Sequence, residues 1–221
     1  MRTIEFHAVL FDLDGTLLDT LADIANSTNA ALSRFGFPTH PVDAYRYFVG
    51  DGTGTLVRRV VPEQHHDSRT LEKCNEAISA EYGKRWAENT QPYSGIPELL
   101  AELEQRGIPK AVLSNKRHDF TRITVEEFLP DFHFQIVRGV QPPVPSKPDP
   151  AGALRIADEL GIAPERFIYL GDTSTDMRTA NAAGMFPAGV LWGFRTAEEL
   201  AANGAKVLVK TPQEVLNLLD T

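Results

Sequence analysis

The chain has 221 residues, and its 30 Asp and Glu against 22 Lys and Arg leave a formal net charge of −8 at pH 7. This acidic balance, with no basic run to offset it, argues against binding to a nucleic-acid backbone. The single cysteine, Cys74, has no partner for an internal disulfide, and no stretch approaches the roughly 18 apolar residues of a membrane span. We therefore expect a cytoplasmic protein with no nucleic-acid or membrane partner; a monomer and a homodimer both stay open.

Five short apolar runs are predicted to be β-strands, and helical patterns separate most of them. The runs are Ala8–Phe11, Lys110–Leu113, Phe134–Val137, Phe167–Leu170 and Ala188–Leu191. Continuous apolar strands that alternate with helices are typical of a parallel sheet covered on both faces. The pattern therefore predicts an α/β fold with a Rossmann-like, doubly wound parallel sheet.

A helical segment interrupts this alternation after the first strand. Its three predicted helices are Leu17–Phe35, Thr53–Val61 and Leu71–Trp86. Such an insert is most simply a small second domain, or cap, and Gln91–Pro97, with two prolines and a glycine, is predicted to be the hinge by which the chain returns. We therefore expect an α/β core of residues 1–16 and 92–221 and an α-helical cap of residues 17–91.

Two acidic residues follow the first strand. Asp12 and Asp14, with Gly15 and Thr16 directly after them, stand at the carboxyl end of Ala8–Phe11. In open α/β sheets this edge is where ligands bind. A solvated turn that happens to carry Asp and Gly is the alternative, and the strand in front of it makes that the weaker interpretation.

Four motifs, in order along the chain, resemble those of the haloacid dehalogenase (HAD) superfamily of phosphohydrolases. They are Asp12-Leu13-Asp14-Gly15-Thr16, Ser114 in Val112-Leu113-Ser114-Asn115-Lys116, Lys147 in Ser146-Lys147-Pro148-Asp149-Pro150, and Gly171-Asp172-Thr173-Ser174-Thr175-Asp176. A lone serine at a strand end is usually a helix cap, and a lone lysine says little. The four motifs together are highly specific, and the resemblance covers nearly the whole chain.

The resemblance implies a phosphatase that works through an aspartyl-phosphate. Asp12 is the implied nucleophile, and Asp14 the general acid for the leaving alkoxide and then the base that activates water. Mg²⁺ is the implied cofactor, held by Asp12, Asp172 and the backbone carbonyl of Asp14. Asp176 would support the metal shell; an acid that only interacts with the dipole of a helix N-terminus is its alternative.

The resemblance also implies groups that hold the phosphate. Ser114 and the Asn115 amide would bind phosphate oxygens, and Gly15 and Thr16 are predicted to contact the phosphate as well. Lys147 would screen the carboxylates and the transferring phosphoryl group. Such a cation is needed because a carboxylate nucleophile and a phosphate dianion repel each other.

Two positions favour phosphatase activity over related chemistries. Dehalogenases of this group lack an acid at the position of Asp14, because halide departs without a proton, whereas an alkoxide needs one. The β-phosphoglucomutase branch has an arginine three residues after its cap glycine, and here that position, counted from Gly50, is Thr53. A pyrophosphatase, a nucleotidase, a β-phosphoglucomutase-like enzyme and, less readily, a non-catalytic binding module stay open as alternatives.

Two further segments are similar to bacterial phosphoglycolate phosphatases. Gly50, Asp51 and Gly52 lie in the first, within the cap, and Val190–Arg195 is the second. Closely spaced glycines let backbone amides approach an anion, although a plain turn is an equal alternative. The similarity makes 2-phosphoglycolate the expected substrate and the cap the part that selects it.

A substrate of this kind carries a carboxylate and needs a cation near the phosphate site. Lys116, next to Ser114 and Asn115, is the favoured cation. Arg58 is the second candidate, although two adjacent arginines on a helix cannot both face one site and solvent exposure is the stronger interpretation of it.

Overall fold

The computed structural model describes residues 5–220. They divide into two compact units: one runs to Leu18 and resumes at Pro92, and the other is Asp19–Gln91. The segments that link them, at Leu18–Asp19 and Gln91–Pro92, pair as a two-stranded sheet. That the first unit is catalytic and the second selects the substrate stays a prediction.

The strands of the described residues are β1 (Ala8–Phe11), β2 (Leu18–Asp19), β3 (Gln91–Pro92), β4 (Lys110–Arg117), β5 (Ile136–Val140), β6 (Phe167–Gly171), β7 (Phe186–Val190) and β8 (Val207–Val209). Six of them form one parallel sheet in the order β5-β4-β1-β6-β7-β8. Strand β1 lies inside it, with Val9 opposite Lys110 on one side and Ile168 on the other. Every residue of β1 and β6 is buried, as expected for strands covered on both faces. The predicted α/β fold with a doubly wound parallel sheet is confirmed.

The helices are α1 (Leu21–Arg34), α2 (Tyr45–Phe48), α3 (Thr53–Val60), α4 (Ser68–Arg85), α5 (Ile96–Gln105), α6 (His118–Phe128), α7 (Ala151–Leu160), α8 (Ser174–Ala183), α9 (Ala197–Ala202) and α10 (Glu214–Leu219). Helices α1 to α4 belong to the second unit and α5 to α10 to the first. Within residues 5–220, none of these helices is long and apolar enough to cross a membrane.

Side chains of β1 alternate between two hydrophobic layers, as the two-residue period of a strand requires. Val9 and Phe11 pack with buried residues of α5, α6 and α10, and Ala8 and Leu10 pack with those of α7 and α8. Each fully buried Leu or Phe side chain contributes about 1.5–3 kcal/mol to folding. The two layers fix the sheet between them, so that the carboxyl ends of its strands emerge together at one edge.

Some predicted strand bounds differ from the structure. The predicted strand Phe134–Val137 begins too early, since β5 starts at Ile136; Phe134 is buried in the core but precedes the pairing. The predicted strand Ala188–Leu191 is shifted toward the C-terminus relative to β7. Strand β8, a three-residue strand at the sheet edge, was not predicted. Apolar runs report burial, whereas strand bounds depend on pairing with a neighbour.

The helices of the second unit begin where local signals place them. Helix α4 starts at Ser68, earlier than the apolar pattern from Leu71 predicts, because the carboxylate of Asp67 accepts a hydrogen bond from the Thr70 amide at 3.0 Å and caps the helix. Helix α1 begins at Leu21 rather than Leu17, because the chain first passes through β2.

A buried carboxylate ties the end of the second unit to its first helix. Asp23 in α1 is fully buried and accepts hydrogen bonds from the amides of Asn89 at 3.0 Å and Thr90 at 2.9 Å. The Thr90 hydroxyl donates to the same carboxylate at 2.7 Å. A carboxylate without water needs such donors, so the two ends of this unit are held together.

Candidate active site

Three acidic side chains meet at the carboxyl edge of the sheet. Asp12 follows β1 and Asp172 follows β6, and these strands are parallel neighbours. Asp176 lies in the first turn of α8. All three are buried, and a carboxylate oxygen of each lies within 4.8 Å of the others. The topology therefore brings Asp12 together with two acids that follow it by about 160 residues in the sequence.

Lys147 provides a buried positive charge for this cluster. Its Nζ lies 2.8 Å from Asp12 Oδ1 and 2.6 Å from Asp176 Oδ1, and its side chain is 3% exposed. Burial by itself lowers the pKa of the Lys147 ammonium, but Asp12 and Asp176 together outweigh it and hold that pKa well above its usual range. Lys147 is therefore charged and binds the nucleophile predicted from the sequence.

One ammonium does not neutralise three buried carboxylates. Burial, reinforced by the charge of Asp176, raises the pKa of Asp12 to about 7 in spite of Lys147. Burial and the charge of Asp12 also raise the pKa of Asp172 well above its usual range. A buried set of hard oxygen donors with excess negative charge fits a divalent cation such as Mg²⁺ or Ca²⁺. The cluster Asp12, Asp172 and Asp176 thus fits a divalent metal site.

Asp176 is already engaged by protein donors on both oxygens. Its Oδ2 accepts hydrogen bonds from the Thr173 hydroxyl at 2.6 Å and the Thr173 amide at 3.1 Å, and Oδ1 accepts from Lys147. With Thr173 it forms a capping box at the start of α8. A Cβ on Gly171 would lie closer than 3.0 Å to the Asp176 side chain, so the close approach requires glycine there. Whether Asp176 contacts a metal directly or supports the other ligands stays a prediction.

Gly15 and Thr16 lie against Asp172. Gly15 has a φ of +89°, and a Cβ there would lie closer than 3.0 Å to the Asp172 carboxylate. The hydroxyl of the fully buried Thr16 donates to Asp172 Oδ1 at 3.3 Å. The Thr16 side chain therefore helps to hold the Asp172 carboxylate, and the predicted phosphate contacts of Gly15 and Thr16 stay predictions.

Ser114 and Asn115 lie near the end of β4 and are buried. Ser114 Oγ accepts a hydrogen bond from the Lys116 amide at 3.1 Å. Asn115 Nδ2 donates to the Lys147 carbonyl at 3.0 Å, and the Lys147 amide donates to Asn115 Oδ1 at 2.8 Å. The Asn115 side chain therefore positions the backbone of Lys147, a role that the sequence did not suggest.

Lys116 is paired with Asp14. Its Nζ lies 2.5 Å from Asp14 Oδ1, and the two side chains are 8% and 18% exposed. The residue predicted to bind a substrate carboxylate thus contacts the residue predicted to be the general acid. Both belong to the same unit, although more than 100 residues separate them in the sequence.

Gly50, Asp51 and Gly52 form a loop before α3 in the second unit. Gly50 and Gly52 have φ of 109° and 84°, values that favour glycine. Asp51 is paired with Arg59, whose Nη2 lies 2.6 Å from Asp51 Oδ2 and whose Nη1 donates to the Phe48 carbonyl at 3.1 Å.

The neighbouring arginine has a different environment. Arg58 and Arg59 are both exposed on α3, and Arg59 is the one whose bonds to Asp51 and to the Phe48 carbonyl hold this loop. The sequence selected Arg58 of the adjacent pair as the second candidate for the substrate cation. A substrate contact for Arg58 stays a prediction.

Comparison with known proteins decides the family. The model of the haloacid dehalogenase-like hydrolase family matches residues 9–190, which include all four motifs. The chain belongs to this family.

Relatives within the HAD family carry phosphatase names. An N-acetylmuramic acid 6-phosphate phosphatase of Pseudomonas aeruginosa is 33% identical over 223 residues, which cover 100% of this chain and 97% of the relative. A phosphoglycolate phosphatase of Chromobacterium violaceum is 30% identical over 222 residues, or 99% of each chain. A crystal structure from Lactobacillus delbrueckii subsp. bulgaricus, assigned to the phosphoglycolate phosphatases, is 28% identical, with a TM-score of 0.92 over 97% of this chain and 98% of its own. The chain is a phosphatase of the HAD family.

Several residues around the HAD site were not identified from the sequence. The Thr173 hydroxyl was readable, because a threonine followed three residues later by an acid is a capping-box pattern. Tyr169 gave no such signal; its hydroxyl lies 3.5 Å from Asp176 Oδ1 and is buried inside β6. Trp192 and Phe194 belong to the segment that is similar to phosphoglycolate phosphatases, and this similarity assigns them no role.

Proposed function

We propose that the chain is a Mg²⁺-dependent phosphomonoester hydrolase that forms an aspartyl-phosphate, an acyl phosphate, on Asp12. The observation that carries the proposal is the position of the Asp12 carboxylate. It belongs to the buried cluster with Asp172 and Asp176 and is bound by Lys147. Catalysis of phosphoryl transfer depends mainly on positioning the reacting groups and on neutralising their negative charge. The buried acid cluster with Lys147 supports both.

The metal would be held by the carboxylates of Asp12 and Asp172 and by the backbone carbonyl of Asp14, with Asp176 as support. When bound, Mg²⁺ supplies positive charge that lets an anionic nucleophile approach a phosphate dianion. Lys147 adds a second positive charge at the nucleophile, since its ammonium contacts Asp12 and Asp176 at once. Ser114 and the Asn115 amide are the proposed contacts of the phosphate oxygens, and Gly15 and Thr16, in the loop after β1, are proposed to contact the phosphate as well.

Asp14 is the proposed general acid and base. In the first step Asp12 Oδ attacks phosphorus, the ester bond breaks, and Asp14 gives its proton to the departing oxygen. In the second step Asp14 takes a proton from water, which attacks phosphorus and frees the Asp12 carboxylate. Lys116 fixes the Asp14 side chain in its present position.

The proposed substrate is 2-phosphoglycolate. Its carboxylate would bind Lys116, whose ammonium has three hydrogens and so can contact Asp14 and a substrate anion together. The helical unit, with Gly50, Asp51, Gly52 and Arg58, is proposed to select the substrate. The relatives named phosphoglycolate phosphatase support this choice.

A second candidate substrate is N-acetylmuramic acid 6-phosphate. A relative named for it is 33% identical and spans the whole chain, a likeness at least as strong as that of the phosphoglycolate phosphatases. It also combines a phosphate monoester with a carboxylate, so Lys116 suits both compounds. We further propose that the enzyme acts on one such small metabolite in the cytoplasm, as a monomer or homodimer.

The experiment is phosphate release from a substrate panel with Mg²⁺ and with EDTA. The panel contains 2-phosphoglycolate, N-acetylmuramic acid 6-phosphate, pyrophosphate, nucleoside monophosphates and hexose phosphates. The expected result is EDTA-sensitive turnover with the highest kcat/KM for 2-phosphoglycolate. Preference for the muramic acid ester would select the second candidate, and preference for pyrophosphate or a nucleotide would contradict both.

A further inference from the structure

A segment after β7 lies against both loops that carry the acids. The indole Nε1 of Trp192 donates a hydrogen bond to the Thr16 carbonyl at 2.9 Å. Two residues later the Phe194 amide donates to Asp172 Oδ2 at 2.8 Å. One short segment thus contacts the loop after β1 and the loop after β6.

Thr16 closes this arrangement into a ring of contacts. Its carbonyl accepts from Trp192, while its hydroxyl donates to Asp172 Oδ1 at 3.3 Å. Both oxygens of Asp172 therefore have donors, one from Thr16 and one from Phe194. Thr16 and Asp172 are fully buried and Phe194 is 4% exposed, so water does not compete for these bonds.

Gly193 allows the three segments to approach this closely. A Cβ at Gly193 would lie closer than 3.0 Å to the Asp172 side chain and to the Gly15 carbonyl. Interiors packed at this density transmit small displacements rather than absorbing them. A change at Trp192 is therefore expected to displace Thr16 and, through it, the Asp172 carboxylate.

We propose that Trp192 is a positioning residue that, through Thr16, fixes the Asp172 carboxylate and so sets the affinity of the acid cluster for its divalent cation. The inference rests on the proposed metal dependence of the site. Mg²⁺ demands near-ideal ligand geometry, so an error in the position of one carboxylate weakens binding. Residues that orient metal ligands typically change affinity by about 10- to 100-fold when substituted.

The test is calorimetric titration of Mg²⁺ and of Mn²⁺ into the full chain after treatment with EDTA and dialysis. Trp192→Phe keeps an aromatic ring but removes the Nε1 donor together with the second ring of the indole, and its Kd is expected to be about 10-fold or more above that of the wild type. Trp86→Phe, in the helical unit, is the matched control and keeps the wild-type Kd. Circular dichroism melting verifies that each variant is folded.

A second variant tests the other link of the ring. Thr16→Val keeps the shape and the carbonyl but loses the hydroxyl, and it is expected to weaken binding as well. In the double variant with Trp192→Phe the losses combine to less than their product, because both act on Asp172. If Trp192→Phe fails to fold, an unchanged Kd in Thr16→Val overturns the inference.

The outcomes separate this inference from the proposed function. A wild-type chain that binds the cation, with Trp192→Phe folded and within about twofold of it in Kd, overturns the role of Trp192 and leaves the proposed function intact. A folded wild-type chain that binds neither Mg²⁺ nor Mn²⁺ contradicts the proposed metal dependence itself, and the inference falls with it.

Discussion

The Lys116 ammonium lies 2.5 Å from Asp14 Oδ1, so the cation proposed for the substrate carboxylate also holds the proposed general acid. Lys116→Met keeps the length of the side chain and removes its charge. Because hydrogen bonds to charged groups contribute about 1.5–3 kcal/mol, KM for 2-phosphoglycolate is expected to rise about 10- to 100-fold. Steady-state kinetics with this ester and with phenyl phosphate, which has no carboxylate, provides the measurement.

The difference in the KM change between the two substrates tests the proposed contact. KM for phenyl phosphate is expected to change little, because it offers Lys116 no carboxylate. Lys73→Met, at an exposed position of α4, is the matched control. An equal rise in KM for both esters would contradict the proposed contact with the substrate carboxylate.

Lys147 is expected to stabilise the acid cluster when no cation is bound. Lys147→Met leaves Asp12 and Asp176 without their buried partner, and breaking a buried ion pair in this way costs about 3–5 kcal/mol. Mg²⁺ is expected to restore part of this loss, so Tm should rise more on adding Mg²⁺ in the variant than in the wild type. Turnover falls by roughly 10²-fold or more, because a preorganised charge is lost.

A second buried lysine offers a matched control for that result. Lys110, at the start of β4, is 1% exposed and lies 3.0 Å from Glu104 Oε1. Lys110→Met should also lower Tm, but Mg²⁺ should raise that Tm only as much as it raises the Tm of the wild type. Equal responses of the two variants to Mg²⁺ would contradict the expected replacement of the Lys147 charge by the cation.

Gly193 has no space for a side chain. The Cβ of Gly193→Ala would overlap Asp172 and the Gly15 carbonyl, and forced overpacking costs about 1–3 kcal/mol. Tm is therefore expected to fall, and turnover with it. Gly54→Ala in α3 meets nothing within 4 Å and should be neutral or stabilising by up to about 1 kcal/mol. Thermal melts of the two variants provide the measurement. A Gly193→Ala chain with the same Tm as Gly54→Ala would contradict the expected overlap at Gly193.

Glu81 in α4 is expected to make stability depend on pH. Hydrogen bonds from Lys84 and Arg85 lower the pKa of its carboxylate from an ordinary 4.5 to about 2. Since the pKa is lowered in the folded chain, this stabilisation is present above pH 4.5 and is lost as pH falls toward about 2. Urea unfolding at several pH values should show Glu81→Gln less stable than the wild type at pH 7, with the gap closing in acid.

The control for this titration lies on the same helix. Glu72→Gln removes an exposed carboxylate and should leave the wild-type pH profile unchanged. A gap for Glu81→Gln that stays constant from pH 7 to pH 2 would show that the carboxylate charge is not its source.

The parts of the site that depend on a local sequence pattern could be predicted. Asp12 was readable because an acid directly after a buried strand must lie at the sheet edge, and the order of the strands then brought Asp172 beside it. The strand β1 was predicted at its observed bounds, since its burial on both faces leaves an uninterrupted apolar run.

Pairings between distant side chains were not readable in this way. Nothing local in Lys116 indicates Asp14 as its partner, and nothing in Asn115 indicates the backbone of Lys147, because these contacts arise from how neighbouring strands and loops pack. Arg58 and Arg59 are adjacent residues of the same type, so the sequence does not distinguish them, and only the structure shows that Arg59 pairs with Asp51.

In the proposed mechanism Asp12 becomes phosphorylated and Asp14 serves both steps. Asp14→Asn with p-nitrophenyl phosphate separates the two steps, because this leaving group departs without an acid while hydrolysis of the intermediate still needs the base. The expected result is a rapid burst of p-nitrophenolate equal to the enzyme concentration, followed by slow turnover. Asp12→Asn added to the same chain should abolish the burst. A burst that survives without Asp12, or linear release without a burst in Asp14→Asn, would rule out this mechanism.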